Sequence, residues 1–128
     1  MKLLAMIAGI GAVIHVIFAY QETIGWGRKF VEKAAGAWID PNDPHGTDAH
    51  IGWAKNLAFN IGIYNLVLAI GLAWTALSDI NIRGSLGIFF SVWLLGAAAA
   101  AAYTRVYAAC VVQGILGLLL LFAAIQAS

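Results

Sequence analysis

Four long apolar stretches set what this chain can become. They run over residues 3–20, 57–77, 86–103 and 106–125. A helix needs about 20 mostly apolar residues to cross the hydrocarbon of a bilayer, and each stretch is near that length. Lipid offers backbone amides no hydrogen-bond partner, so only helices or closed barrels can span it. A barrel strand would alternate apolar and polar residues, and these runs do not alternate. The expectation is an all-α membrane protein, a four-transmembrane-helix bundle in a single transmembrane domain over residues 1–128. Charge agrees with this. Charged residues make up 10% of the chain and apolar residues 62%, whereas a soluble domain carries about 25% charged residues. A soluble globule with so little charge could not cover its surface. The net charge of +1 gives no reason to expect nucleic acid as a partner.

The connections between the stretches are unequal. Residues 78–85 read as a short polar turn holding Asp79, Asn81, Arg83 and Gly84, and Thr104 and Arg105 barely separate the last two stretches. Those two helices must therefore pack antiparallel, as a hairpin. The connection over residues 21–56 is long and divides in two. Trp26, Phe30, Ala34 and Trp38 recur every four residues, on one helical face, while Arg28, Lys29, Glu32 and Lys33 fall largely elsewhere. That pattern fits an amphipathic helix lying in the membrane interface. Residues 39–51, with both prolines of the chain, Pro41 and Pro44, read as a polar loop. The side bearing Arg28, Lys29, Lys33, Lys55 and Arg105 outweighs the side bearing Lys2 and Arg83. The positive-inside rule then places the long loop in the cytoplasm. The apolar run after Lys2 resembles a signal peptide, but it continues through His15 to Tyr20 without an A-x-A-like cleavage site. An uncleaved first helix is expected.

Small residues suggest how the helices close on one another. Gly96 leads into Ala97–Ala102, and Gly114 and Gly117 stand one turn apart. Between helices in lipid there is no hydrophobic drive, so close backbone approach supplies the association. The lone Cys110, between Ala109 and Val111, excludes an internal disulfide and reads as packing.

Polar residues within the stretches ask for reasons, because each costs free energy at membrane depth unless partnered. His15 and Glu22 stand seven residues apart and share a face if the first helix continues that far. Such a pair could hold a proton, a metal or a substrate hydroxyl, or it could be a boundary carboxylate and a hydrogen-bonded core histidine. Asn56, Asn60 and Tyr64 form a stripe at four-residue spacing. Antiparallel packing would bring that stripe and the His15–Glu22 pair together in one leaflet, under the long loop. Asn65 points about 140° away from Asn60 and is expected to bond another helix. Gln113, early in the last helix, can join the cluster, with Tyr103 and Arg105 as caps or as solvated turn residues. Asp40, Asn42, Asp43, His45, Asp48 and His50 are dense in metal-ligand types. Their spacing fits neither a calcium loop nor a cysteine zinc pattern, so a solvated turn and no metal site are expected. Should that loop fold over the cluster, His45 or His50 could serve as a lid group.

The run Asn60-Ile61-Gly62-Ile63-Tyr64-Asn65-Leu66-Val67-Leu68-Ala69-Ile70-Gly71-Leu72 resembles the N-Q-G-x-Y-N-x-x-L-A-x-G-L signature of small bacterial membrane proteins called domain of unknown function 1304. The early His15 followed by Glu22, and Val112-Gln113-Gly114 in the last helix, resemble the same family. Ile61 stands where that family shows Gln, and Leu116 where it shows Pro. The resemblance implies the four-helix fold, a bacterial plasma membrane location, and a shared role for His15, Glu22, Asn60, Tyr64, Asn65 and Gln113.

Three functions stay open. The first is a bundle that binds or translocates a small molecule or ion, with a cavity lined by His15, Asn60, Tyr64 and Gln113. The second is an accessory or scaffold subunit of a larger membrane complex. The third is an intramembrane acid–base enzyme acting on a lipophilic substrate through His15 and Glu22. No nucleotide, phosphate-cradling or Ser/His/Asp motif occurs, and Ser85 and Ser91 have no base beside them in sequence. One intramembrane histidine argues against two-histidine ligation within one chain, and no cofactor is named by the sequence. The partners expected are the lipid bilayer and either further copies of the chain or a larger membrane complex.

Overall fold

The computed structural model describes residues 2–24, 47–104 and 106–127. Among these residues there is no strand, and the elements are four helices. They are α1 (Lys2–Thr23), α2 (Thr47–Leu77), α3 (Ile80–Tyr103) and α4 (Tyr107–Ala127). Each contains a segment long and apolar enough to cross a membrane: Lys2–Thr23, Lys55–Leu77, Ile80–Tyr103 and Tyr107–Ala127. The Trp26–Trp38 repeat, the loop residues Asp40, Asn42, Asp43 and His45, and Arg105 lie outside the described residues, as do the side chains of Asp48 and His50.

Two helices begin earlier than hydropathy suggests. Helix α2 starts at Thr47, inside the stretch expected to be loop. Hydropathy falls off before residue 57, but helix formation needs only a permissive backbone. Both prolines precede Thr47, so no missing amide interrupts the ladder. Helix α3 starts at Ile80, which leaves Ser78 and Asp79 as the whole turn. The Asp79 carbonyl accepts from the amides of Ile82 at 3.3 Å and Arg83 at 3.1 Å. Arg83 Nη2 donates to the Ser78 carbonyl. Asn81 and Arg83 thus belong to the first turns of α3, where polar side chains reach the headgroup level.

The chain divides into two compact units, Met1–Ile14 with Leu68–Ser128, and His15–Val67. The core of the first unit draws on every helix. It consists of Leu4, Ile7, Ala8 and Ala12 of α1, Leu68 and Leu72 of α2, Leu94 of α3, and Leu116, Leu120, Ala123 and Ala124 of α4. Glycines let the backbones approach. A Cβ on Gly87 would stand 2.9 Å from Ala124 Cβ and 3.0 Å from Leu4 Cδ1. One on Gly117 would stand 3.0 Å from Leu95 Cγ and 3.2 Å from Leu94 Cβ, and one on Gly114 would meet Ala98 at 3.7 Å. These pairings run in opposite chain directions, so α3 and α4 form the antiparallel hairpin that their short link requires. Gly96 differs: a Cβ there meets nothing within 4 Å, so it takes no part in that interface.

Buried hydroxyls in this unit are satisfied within their own helices. Thr75 Oγ1 donates to the Gly71 carbonyl at 2.9 Å, Ser91 Oγ to Ile88 at 2.7 Å, and Ser78 Oγ to Trp74 at 2.7 Å. Such bonds let a hydroxyl sit in an apolar interior without an outside partner.

The contrast between two glycines of α3 is testable. Gly87→Ala is expected to destabilise the fold by about 1–3 kcal/mol through overpacking. Gly96→Ala is expected to be neutral or stabilising by up to about 1 kcal/mol, from helix propensity alone. Unfolding of both variants in mixed micelles measures the difference.

Candidate functional site

The polar residues of interest cluster in the second unit, where the end of α1 meets α2. The buried side of α1 is a stripe of Leu4, Ala8, Ala12, His15 and Ala19, at the three- and four-residue spacing of one helical face. The helix continues to Thr23, so Glu22 extends that stripe, within about 20° of His15. His15 has no exposed surface and meets Phe18 edge-on, with ring centroids 5.7 Å apart and planes at 75°. Glu22 is half-buried at the helix end. His15 lies about 10 Å deeper along the axis, at 1.5 Å per residue.

The matching face of α2 carries Ala58, Gly62 and Asn65, all buried. Gly62 sets the approach. A Cβ there would stand 2.5 Å from Thr23 Cγ2, 3.1 Å from the Ala19 carbonyl oxygen and 3.1 Å from Glu22 Cβ. Any side chain at Gly62 would push the two helices apart. Because none is present, Asn65, one turn further on, reaches α1. Its Nδ2 donates to Glu22 Oε2 at 2.6 Å, and Asn65 is only 7% exposed. Thr23 Oγ1 closes the last turn of α1 by donating to the Ala19 carbonyl at 2.6 Å.

The expected site residues therefore separate. Glu22 and Asn65 are joined by a hydrogen bond, and His15 lies on the same buried stripe as Glu22. Asn65 bonds another helix, as its angle from Asn60 suggested. Asn56, Asn60 and Tyr64 lie on the opposite, exposed side of α2, with Tyr64 68% exposed. Gln113 is buried, 9% exposed, in α4 of the first unit. Tyr103 is 90% exposed at the end of α3. Sequence reasoning passed over Gly62. The available signal was a small residue three positions before Asn65, on the same side of the helix as Ala58 and Ala69.

The pair can act as an acceptor and donor side by side. A carboxyl oriented by an amide can take a hydrogen bond from a hydroxyl or ammonium group, or balance a cation. Among the described residues, no three His, Cys, Asp or Glu side chains stand close enough together to hold a metal ion.

The family model described as Protein of unknown function (DUF1304) matches residues 9–125. The chain belongs to this family. The DUF1304 match takes in His15, Glu22, Gly62, Asn65 and Gln113 alike, and it covers nearly all of the four helices. No curated protein and no solved structure matches the chain.

A double-mutant cycle on Glu22→Leu and Asn65→Leu measures the bond directly. The expected coupling is about 0.6–1.7 kcal/mol, the range for hydrogen bonds between membrane helices. The double variant should lose less stability than the two single variants' losses added together. Strict additivity would remove the bond from the folded state.

Proposed function

We propose that this chain is a membrane protein that binds a small molecule or ion at the end of α1, through Glu22 and Asn65, with His15 deeper on the same stripe. The observation that carries this reading is the hydrogen bond from Asn65 Nδ2 to Glu22 Oε2 at 2.6 Å. If these positions served packing alone, apolar residues of similar size would hold the helices with less desolvation cost. Glu22 is half-buried at the end of α1, and Asn65 holds its carboxyl in one orientation. A hydroxyl, an ammonium group or a cation is the chemistry it suits. The four helices long and apolar enough to cross a membrane support a membrane location, which we read from the sequence resemblance as the plasma membrane of a bacterium, and the Trp26, Phe30, Ala34 and Trp38 sequence repeat supports an interfacial helix in the connection.

Binding is favoured here over translocation. Beyond His15 the buried stripe of α1 holds only Ala12, Ala8 and Leu4. A charged solute carried further along that stripe would meet no polar side chain of α1, at a cost of several kcal/mol. The site is accordingly read as one-sided.

Native mass spectrometry of the protein, extracted gently from its own membrane, tests this. The expected result is an added small mass on the wild type and on Gly96→Ala, lost in Glu22→Gln and Asn65→Leu. Co-purification with other subunits at fixed stoichiometry, and no added mass, would contradict the binding role and favour an accessory one.

A further inference from the structure

Gln113 takes no part in the Glu22–Asn65 pair and belongs to the first unit. It lies about 9 Å along the axis of α4 from Tyr107, and only 9% of it is exposed. On α4 it shares the buried face of Leu116, Gly117 and Leu120. Gly117, one turn on, packs against Leu94 and Leu95 of α3. In an antiparallel hairpin, one turn back along α4 corresponds to one turn on along α3. Gln113 therefore faces the stretch of α3 that holds Ala98. The hairpin is less tightly closed there. A Cβ on Gly87 or Gly117 would be pressed to about 3 Å by its neighbours, whereas one on Gly114 would meet only Ala98, at 3.7 Å. The side chains around this level are small: Ala98 and Ala101 on α3, and Ala109, Cys110 and Gly114 on α4.

Among the described residues, none hydrogen-bonds the Gln113 side chain. The other buried polar side chains of this unit, Thr75, Ser78 and Ser91, each bond a carbonyl of their own helix. A glutamine amide brings two donors and an acceptor, and buried polar groups of this kind are normally partnered. Had the position served packing alone, a methionine or leucine would fill it without that penalty. A buried water would need about three polar partners, and the alanines and glycine beside Gln113 offer no polar side chain. The amide is neutral, so a charged group entering here would find no compensation. What it suits is an uncharged oxygen.

We propose that the α3–α4 hairpin holds an uncharged apolar molecule beside Ala98 and Gly114, with the Gln113 amide hydrogen-bonded to its carbonyl or hydroxyl oxygen. This site lies within the first unit, and the proposal stands whether or not the Glu22–Asn65 pair binds a ligand.

Solvent extraction of the full-length protein, purified from its own membrane, tests it. The retained small molecules are identified by mass spectrometry. An uncharged, oxygen-bearing compound is expected in the wild type and in Glu22→Gln, and about tenfold less of it in Gln113→Met, whose shape and apolarity suit the bundle. The mass of a membrane glycerolipid would make the oxygen an ester carbonyl, and any other mass a separate lipophilic molecule. A second readout needs no variant. The protein is stripped and placed in bilayers of ether-linked lipid, which lacks carbonyls, with nitrogen-15 in the Gln113 side chain. Adding back the uncharged fraction of the extract is expected to shift the amide resonance. No retained compound, equal retention in Gln113→Met, a charged compound that depends on Gln113, or an amide resonance that ignores the extract would each overturn the proposal.

Discussion

Lipid accepts no hydrogen bonds, and the arrangement of this chain follows from that constraint. Backbone amides are satisfied by helix formation. Buried hydroxyls are satisfied by the carbonyls of their own helices, as at Thr75 and Ser91. Side chains that cannot bond within their helix must find a partner on another one or stay near water. Asn65 is the clearest case. Its amide is buried on α2, and it is matched by a carboxyl at the end of α1. The same constraint explains the glycines. Without a hydrophobic drive between helices, contact must be close to be worth anything. Gly87 and Gly117 permit that in the first unit, and Gly62 in the second.

Gly62 ties packing to chemistry. The missing side chain brings the last turn of α1 against α2, and that approach places Glu22 within reach of Asn65. Beyond His15 the α1 stripe returns to alanine and leucine. The polar groups thus follow one helix face, from a half-buried carboxyl at its end to a fully buried imidazole.

Much of the fold was legible in the sequence. Hydropathy pointed to the four helices that are long and apolar enough to cross a membrane, because crossing depends on length and apolarity. It could not fix helix starts, since α2 and α3 extend into polar sequence that no proline or glycine pair interrupts. The site was legible in part. The four-residue spacing of Asn56, Asn60 and Tyr64 suggested a functional face, yet the buried face is the one carrying Ala58, Gly62 and Ala69. In a membrane helix, small residues mark the packed side more reliably than polar ones do, since polar side chains near a helix end can face headgroups and water. The angular offset of Asn65 from Asn60 did point to a bond with another helix. Its partner, Glu22, could be identified only once α1 was known to continue to Thr23.

The central claim is that Glu22 and Asn65 are hydrogen-bonded within the membrane. Magic-angle-spinning NMR of the full chain in lipid bilayers measures this, with carbon-13 in the Glu22 carboxyl and nitrogen-15 in the Asn65 amide side chain. The predicted result is the weak through-space carbon–nitrogen dipolar coupling of a hydrogen-bonded carboxyl–amide pair, lost in Gly62→Leu, where the helices are forced apart. Absence of coupling in the wild type, with the helices intact, would contradict the pair and the binding site built on it.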